Sequence, residues 1–505
     1  EPSASVKINK IKIKLDLINF DLYLKTDNAL IEYQNINIPI QEFRAYFKLI
    51  SFVKNQPQLH RAVVLTDSIK IKDLQKIAIR IKPSNFKSYL LNNIEGGELT
   101  KGNFDLKFEK DLKIIKYEAS GKLKTVNAKT SSGIEIKNIS LNFILDKELV
   151  LINSINANYK GISLVNGNIE IEKKNNIKIK ANINSKFDLD KKKLNKLFPK
   201  KTPTFFVENL INTKGEAVHD VSLELSDTFK ILNYEYNIDG NLPKLEFFLK
   251  KKFRSSFIKN EIEKISLNKS KIKVNLNNRG TNFITIEGNY RTNNSLYRKF
   301  SISNNLKKNS SRYIFNIDLT EIIFIEILNF KNKNKKLGNI AGEIVTSNNG
   351  KLIKKIKFIE DKNLIEINNL EINKKYQIKK FNNIKIKTFK EGKINNDLEV
   401  KLEDKIYVKG KTYDATFLLK NINSDTKSII LNKINKNIEI TFDHLITSSL
   451  IPLNNFNLIG KIKSGKFIKI LSKSELADQK YLDISLKSNN NNKKILEIYS
   501  DSPKL

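Results

Sequence analysis

Apolar and polar residues alternate strictly from Ile11 to Leu17: Ile11, Ile13, Leu15 and Leu17 take one set of positions, and Lys12, Lys14 and Asp16 the other. Side chains on a strand alternate between faces, so the run predicts a strand with one apolar and one charged face. At Leu17-Ile18 two apolar residues fall together, and the alternation resumes out of phase with Phe20, Leu22 and Leu24. One extra residue within a strand predicts a β-bulge at that step. The same pattern recurs along much of the chain.

Between Ile38 and Val53 the period changes. Ile40, Phe43, Phe47 and Ile50 fall three and four apart behind Pro39, which predicts a short helix over one end of a sheet. Strands are expected at Val63–Leu65, Ser68–Ile71 and Ile77–Lys82, followed by a second helical pattern, FKSYLLNNI, that stops at Gly96-Gly97. In GGELTKGNFDLKFE the glycines bend the chain and Phe104, Leu106 and Phe108 form an alternating face. A meander follows, with turns or bulges at Gly121, Gly161 and Gly167, and with Ile177, Ile179 and Ile183 alternating against lysine and asparagine.

Leu189–Phe198 reads as a lysine-rich helix closed by Pro199, and Pro199–Pro203 as a boundary dividing the chain into residues 1–198 and 199–505. Beyond it strand-like runs continue to the end, among them SKIKVNLNN, RYIFNIDLT, LIEINNLEI and LDISLKS. EIIFIEILNF fits helix and strand equally. The fold class expected is mainly β: a long antiparallel meander curled into an elongated trough, with a few short helices near the N-terminal half. Stacked sandwiches would need linkers at intervals of roughly 100 residues, and a solenoid a fixed repeat; neither is visible.

Composition changes this picture little. The net charge of +37 comes overwhelmingly from lysine spread along polar strand faces, among abundant Asn and Ile. That distribution lacks the compact Arg forks and aromatic platforms of nucleic-acid sites, so no nucleic-acid partner is expected. No cysteine is present, which removes disulfides, thiolate metal sites and cysteine nucleophiles. His60, His219 and His444 are far apart and read as surface or strand-end histidines. No phosphate-binding glycine loop, nucleophile elbow or paired metal-ligand motif occurs, so no catalytic, metal or cofactor residue is nominated. No apolar run reaches the roughly 18 residues that span a bilayer. The chain begins on Glu1, ends on Leu505 just after a strand-like run, and reads as a segment of a longer protein.

The phrases HRAVVLTDSIKIKDLQKIAIRI, IEGGELTKGNFDLKF and IYVKGKTYDATFLLKNI, with the opening strand pair and the Ile38–Val53 pattern, resemble the AsmA-like superfamily. Within it the chain is most similar to the YhdP and TamB type of bacterial envelope protein. That resemblance implies a non-enzymatic periplasmic protein, anchored to the inner membrane by a segment outside this chain, with envelope proteins as further partners. It would carry phospholipid acyl chains toward the outer membrane along an apolar β-groove. The groove lining would then include Ile11, Ile13, Leu15, Leu17, Phe20, Leu22, Leu24, Phe104, Leu106, Phe108, Ile177, Ile179 and Ile183. The alternative is a structural or adhesive all-β protein whose apolar faces fill its own sandwiches.

Overall fold

The structure is a computed structural model. It describes the chain apart from residues 1–3, 9, 34–35, 55, 80–90, 110–111, 130–133, 198–209, 256, 281, 333–337, 376, 417–434, 448–451, 464–465, 477–478, 489–493 and 502–505. The protein is mainly β, and thirty of its strands belong to one mostly antiparallel sheet. By internal contacts the chain forms two units. The first comprises Glu1–Glu208, Asn212–Leu242 and Val274–Gly280; the second comprises Asn209–Ile211, Pro243–Lys273 and Thr281–Leu505.

In the first unit β1 (Ala4–Lys7) and β2 (Ile11–Asp16) both pair with β3 (Asp21–Tyr33), and β3 pairs with β4 (Ile36–Lys48). Next come β5 (Leu59–Thr66) and the two-residue strands β6 (Ile69–Lys70) and β7 (Ile94–Glu95). The longer strands are β8 (Glu98–Phe108), β9 (Ile114–Lys129), β10 (Glu135–Leu145), β11 (Leu149–Tyr159), β12 (Ile162–Lys173), β13 (Ile177–Asp190) and β14 (Leu210–Leu225). From β8 to β14 each pairs antiparallel with the next, and β5 pairs with β8.

Three local expectations are corrected. Leu17-Ile18 is not a bulge: residues 17–20 form the β2–β3 turn, with the Asp16 carboxylate accepting the Ile18 and Asn19 amides at 3.0 and 3.1 Å. Leu17 and Phe20 therefore sit at a hairpin tip and do not line a strand face. Ile38–Val53 is mostly strand, with only α1 (Leu49–Val53) helical. The three-residue step from Ile40 to Phe43 marks a register shift against β5, after which Phe43, Ala45 and Phe47 alternate. A bulge and a helical turn leave the same spacing in the sequence. Of the strand expected at Ile77–Lys82, Ile77–Ile79 is the end of the helix α2 (Ile71–Ile79) and residues 80–82 lie outside the described residues; Ile71 and Leu74, three apart, dock on Leu99 and Val126. The Lys191–Leu197 helix falls where expected. FKSYLLNNI lies mostly, and Pro199–Pro203 wholly, outside the described residues.

In the first unit five bulges form a belt across β8 to β12. Lys101, Thr125, Asn138, Ser154 and Asn166 take left-handed backbone conformations (φ 52–54°), each at a register shift. Thr125, Asn138 and Ser154 each stand third in an apolar–x–x–apolar step such as Leu123–Val126 or Ile152–Ile155, and Lys101 and Asn166 stand third in steps that end on Gly102 and Gly167, so the apolar residues stay on one face. Amides turned out of the ladder need new acceptors. Asn127 Oδ1 accepts the Asn138 amide at 3.1 Å, and Asn156 Oδ1 the Asn166 amide at 3.4 Å. Buried apolar side chains gather here, with Leu99 and Val126 under α2 and Ile155 beside Gly167.

The strands β15 (Ile231–Ser255) and β16 (Ile258–Asn277) follow. The second unit contains β17 (Asn282–Thr292), β18 (Arg298–Lys307), β19 (Ser310–Asp318), the short hairpin β20 (Phe324–Ile325) and β21 (Phe330–Lys331), and β22 (Asn339–Ser347). It continues with β23 (Gly350–Glu360), β24 (Asn363–Asn373), β25 (Ile378–Lys390), β26 (Lys393–Leu402) and β27 (Ile406–Asp414). The last strands are β28 (Lys436–Ile446), β29 (Leu453–Lys463), β30 (Lys466–Glu475), β31 (Tyr481–Ser488) and β32 (Lys494–Ser500). From β17 to β32 the described pairings are antiparallel except between β27 and β28, which run parallel. EIIFIEILNF resolves as neither a long helix nor a long strand. It contains β20, a 3-10 turn at Glu326–Leu328 and the start of β21.

Candidate functional site: a continuous apolar face

Residues directly opposite in a β ladder project from the same face, so register traces a face from strand to strand. In the first unit one row runs from Thr26 through Phe43, Val64, Phe104, Ala119, Leu145, Val150, Ile171 and Ile179 to Leu223. Ten strands contribute one residue each, and apart from Thr26 all are apolar. In the second unit a row starts at Ile286 and passes Ile302, Phe315, Gly342, Ile356, Ile367, Ile384, Val400, Val408, Ile440, Leu458, Ser472 and Ile484 to Ile498. Even the parallel step preserves it.

Most of these side chains are half-buried; Thr26, Ala119 and Val150 are buried, and Ile498 is exposed. A second sheet stacked on this face would bury such residues almost completely. Among the described residues, buried apolar side chains form only three clusters.

The structure places most of the sequence-predicted lining residues on this face. Ile13 stands opposite Leu24, Leu15 opposite Leu22, and Leu24 connects through Ala45 and Ala62 to Leu106. Phe104 and Ile179 are in the row itself; Ile177 and Ile183 flank Ile179 on β13, and Phe108 ends β8. Ile11, Ile13 and Leu15 are exposed because β2 borders the sheet.

The opposite face is held by cross-strand ion pairs. Arg61 grips Asp105 through two bonds of 2.9 and 2.6 Å, and Arg312 grips Glu343 at 2.9 and 3.0 Å. The Arg312 guanidinium holds the Glu343 carboxyl below its usual range.

Two features of the apolar face were not anticipated. His219 is neither a surface nor a strand-end residue: it lies mid-strand on β14 and takes an apolar slot between Ala217 and Val221. Its Nε2 meets Ser185 Oγ at 2.7 Å, its Nδ1 meets Tyr236 Oη at 2.8 Å, and the two rings stack at 6.0 Å. Burial lowers the imidazole pKa, against a smaller opposite pull from Asp220, and raises that of Tyr236. The alternation in AVHDV was the available signal.

The second is a strap, the segment bearing β20 and β21, laid over the apolar face of the second unit. Leu328 and Phe330 are buried with Phe358 in one cluster, against which Ile365, Ile386 and Tyr413 pack. Polar bonds pin it: Tyr413 Oη donates to Ile327 O at 2.8 Å, Asn396 Nδ2 to Leu328 O at 2.7 Å, and Asn329 Nδ2 to Asp414 Oδ2 at 2.8 Å.

Among the described residues no cluster of His, Asp or Glu could hold a metal, and no helix is long and apolar enough to cross a membrane. No protein-family model, curated protein or solved structure matches the chain.

Proposed function

We propose that this protein is a non-enzymatic lipid carrier of the AsmA-like type that moves phospholipid between the inner and outer membranes of a bacterial envelope. The observation that supports the reading is the predominantly apolar row in each unit, most of whose side chains are covered only in part. An acyl chain laid along such a row loses water at about 0.8 kcal/mol per methylene, so two tails are held without a specific headgroup site. The head stays in water, where lysines of the polar face attract its phosphate. Passage needs repeated weak contacts of one kind, which a lining of Ile, Leu, Val and Phe supplies.

Native mass spectrometry of the chain purified from a bacterium tests this. Co-purifying phospholipid is expected, and it should be lost in the Ile171→Asp/Ile179→Asp variant, whose sites are half-buried and tolerate polar replacement better than a packed core. A folded wild-type chain free of lipid overturns the reading. The strap favours a second reading in its own neighbourhood. There Leu328 and Phe330 satisfy the apolar face from within, as they would in a purely structural β protein.

A further inference from the structure

We infer that one rim of the first unit docks on the surface of an anionic lipid bilayer. The inference stands on this rim alone and does not need the apolar face to carry lipid. Three connections meet there because their strands are neighbours: the 17–20 turn between β2 and β3, α1 between β4 and β5, and the link between β8 and β9, of which Glu109, Leu112 and Lys113 are described. Among the described residues of this unit, seven large hydrophobic side chains are at least 60% exposed, and six lie in these loops. They are Leu17, Ile18, Phe20, Ile50, Val53 and Leu112, with Ile18 at 91% and Val53 at 83%.

These tips are not slack. Leu49 N donates to Phe20 O at 3.0 Å, tying α1 to the first turn, and Phe52 packs edge-on against Phe47 at 5.9 Å. Ser51 Oγ donates to Lys48 O and accepts the Gln58 amide, closing α1 from below. The third loop is closed by Glu109 N to Lys113 O at 2.9 Å. Water-exposed apolar groups held out by a rigid frame keep a standing free-energy cost that a bilayer would relieve.

Charge selects the partner. Exposed Lys48, Lys54, Lys107 and Lys113 flank the tips. A cavity of about 780 Å³ beside them on the polar face is lined by Lys48, Arg61 and Lys107 with His60, Asp16 and Asp21. Both carboxylates are engaged, Asp16 by the turn amides and Asp21 by His60 at 2.9 Å, and Arg61 by Asp105. Two ammonium groups are thus left facing a space of headgroup size, next to side chains suited to the acyl boundary.

Sedimentation of the full chain with vesicles of phosphatidylcholine, with and without phosphatidylglycerol, tests the inference. Binding should require phosphatidylglycerol and weaken with salt. Ile18→Asp/Val53→Asp, at sites too exposed to disturb folding, should lose roughly a hundredfold in partitioning, since each side chain contributes on the order of 1.5 kcal/mol when buried. Lys48→Glu/Lys107→Glu should lose the preference for the anionic lipid. Ile171→Asp/Ile179→Asp should still bind vesicles, which separates docking from carriage. The inference is overturned if the wild-type chain ignores the vesicles or both rim variants bind as it does. It is equally overturned if the rim instead holds a second copy, seen as a dimer that Ile18→Asp/Val53→Asp splits.

Discussion

Ser185 Oγ and His219 Nε2 lie 2.7 Å apart on the apolar face, joining neighbouring strands where every adjacent position of that face is built for hydrocarbon. Tyr236 completes the chain from the third strand. Three polar groups satisfy one another there, so the face keeps its continuity without stranding a donor. Burial holds the imidazole below its usual value of about 6.5, so the folded protein keeps His219 neutral where the unfolded chain would protonate it. The unfolded state then binds more protons, and stability falls as the pH drops from 6.5 toward the lowered folded value. Thermal unfolding followed across that window should show the decline, and His219→Gln should flatten it; an unchanged slope in the variant refutes the assignment.

The bulge belt predicts opposite effects at two neighbouring sites. Asn127→Leu removes the acceptor of the Asn138 amide and should cost about 1 kcal/mol in chemical unfolding. Thr125 is β-branched yet left-handed, at φ 52°, so Thr125→Asn should stabilise by roughly 0.5–1 kcal/mol. Equal effects of one sign would mean that the belt is not held as described.

Strand after strand was legible because alternation is a local property, and Phe104, Leu106, Ile177 and Ile179 project where the pattern placed them. Errors arose where one spacing serves two structures. Ile40 to Phe43 looks helical and is a bulge, while Leu17-Ile18 looks like a bulge and is a turn closed by Asp16. The strap could not be read at all. Leu328 and Phe330 are buried by residues of β23 to β25 and β27, and no local pattern encodes so distant a partner.

Asn396 is the pin of that strap: fully buried, it donates to Leu328 O and Thr388 Oγ1, and its oxygen accepts the Asp414 amide. Asn396→Ala takes the acceptor from the buried Asp414 amide and leaves Leu328 O only the longer bond from Asn395 Nδ2 at 3.4 Å, while Thr388 Oγ1 keeps its bond to Asn395 Oδ1; a cost of about 1–3 kcal/mol is expected. Hydrogen exchange should accelerate at Ile325–Phe330 and around Asp414, and stay unchanged in β9 to β13. Protection retained at the strap would show that Asn396 is not its pin and that packing with the remaining bonds from Tyr413, Asn329 and Asn395 holds it. Phe330→Ala is expected to cost about 3–5 kcal/mol.

Among the described residues glycine faces phenylalanine across the ladder at five places: Gly121 and Phe143, Gly215 and Phe187, Gly288 and Phe300, Gly342 and Phe315, and, in the parallel pair, Gly410 and Phe442. At Gly342 the ring covers the bare backbone, and a Cβ added there would stand 2.7 Å from both Phe315 Cζ and the Lys355 carbonyl oxygen. The ring can swing aside but the carbonyl belongs to the ladder, so Gly342→Ala must distort β22 or β23. A cost of about 1–3 kcal/mol is expected. Phe315→Leu relieves only the ring contact, so Phe315→Leu/Gly342→Ala should recover little of it. Full recovery in the double variant would assign the whole cost to the ring and leave the ladder as an idle neighbour. Partial or no recovery fixes the glycine as the residue that lets adjacent strands and their aromatic cover lie close enough to keep the apolar face continuous.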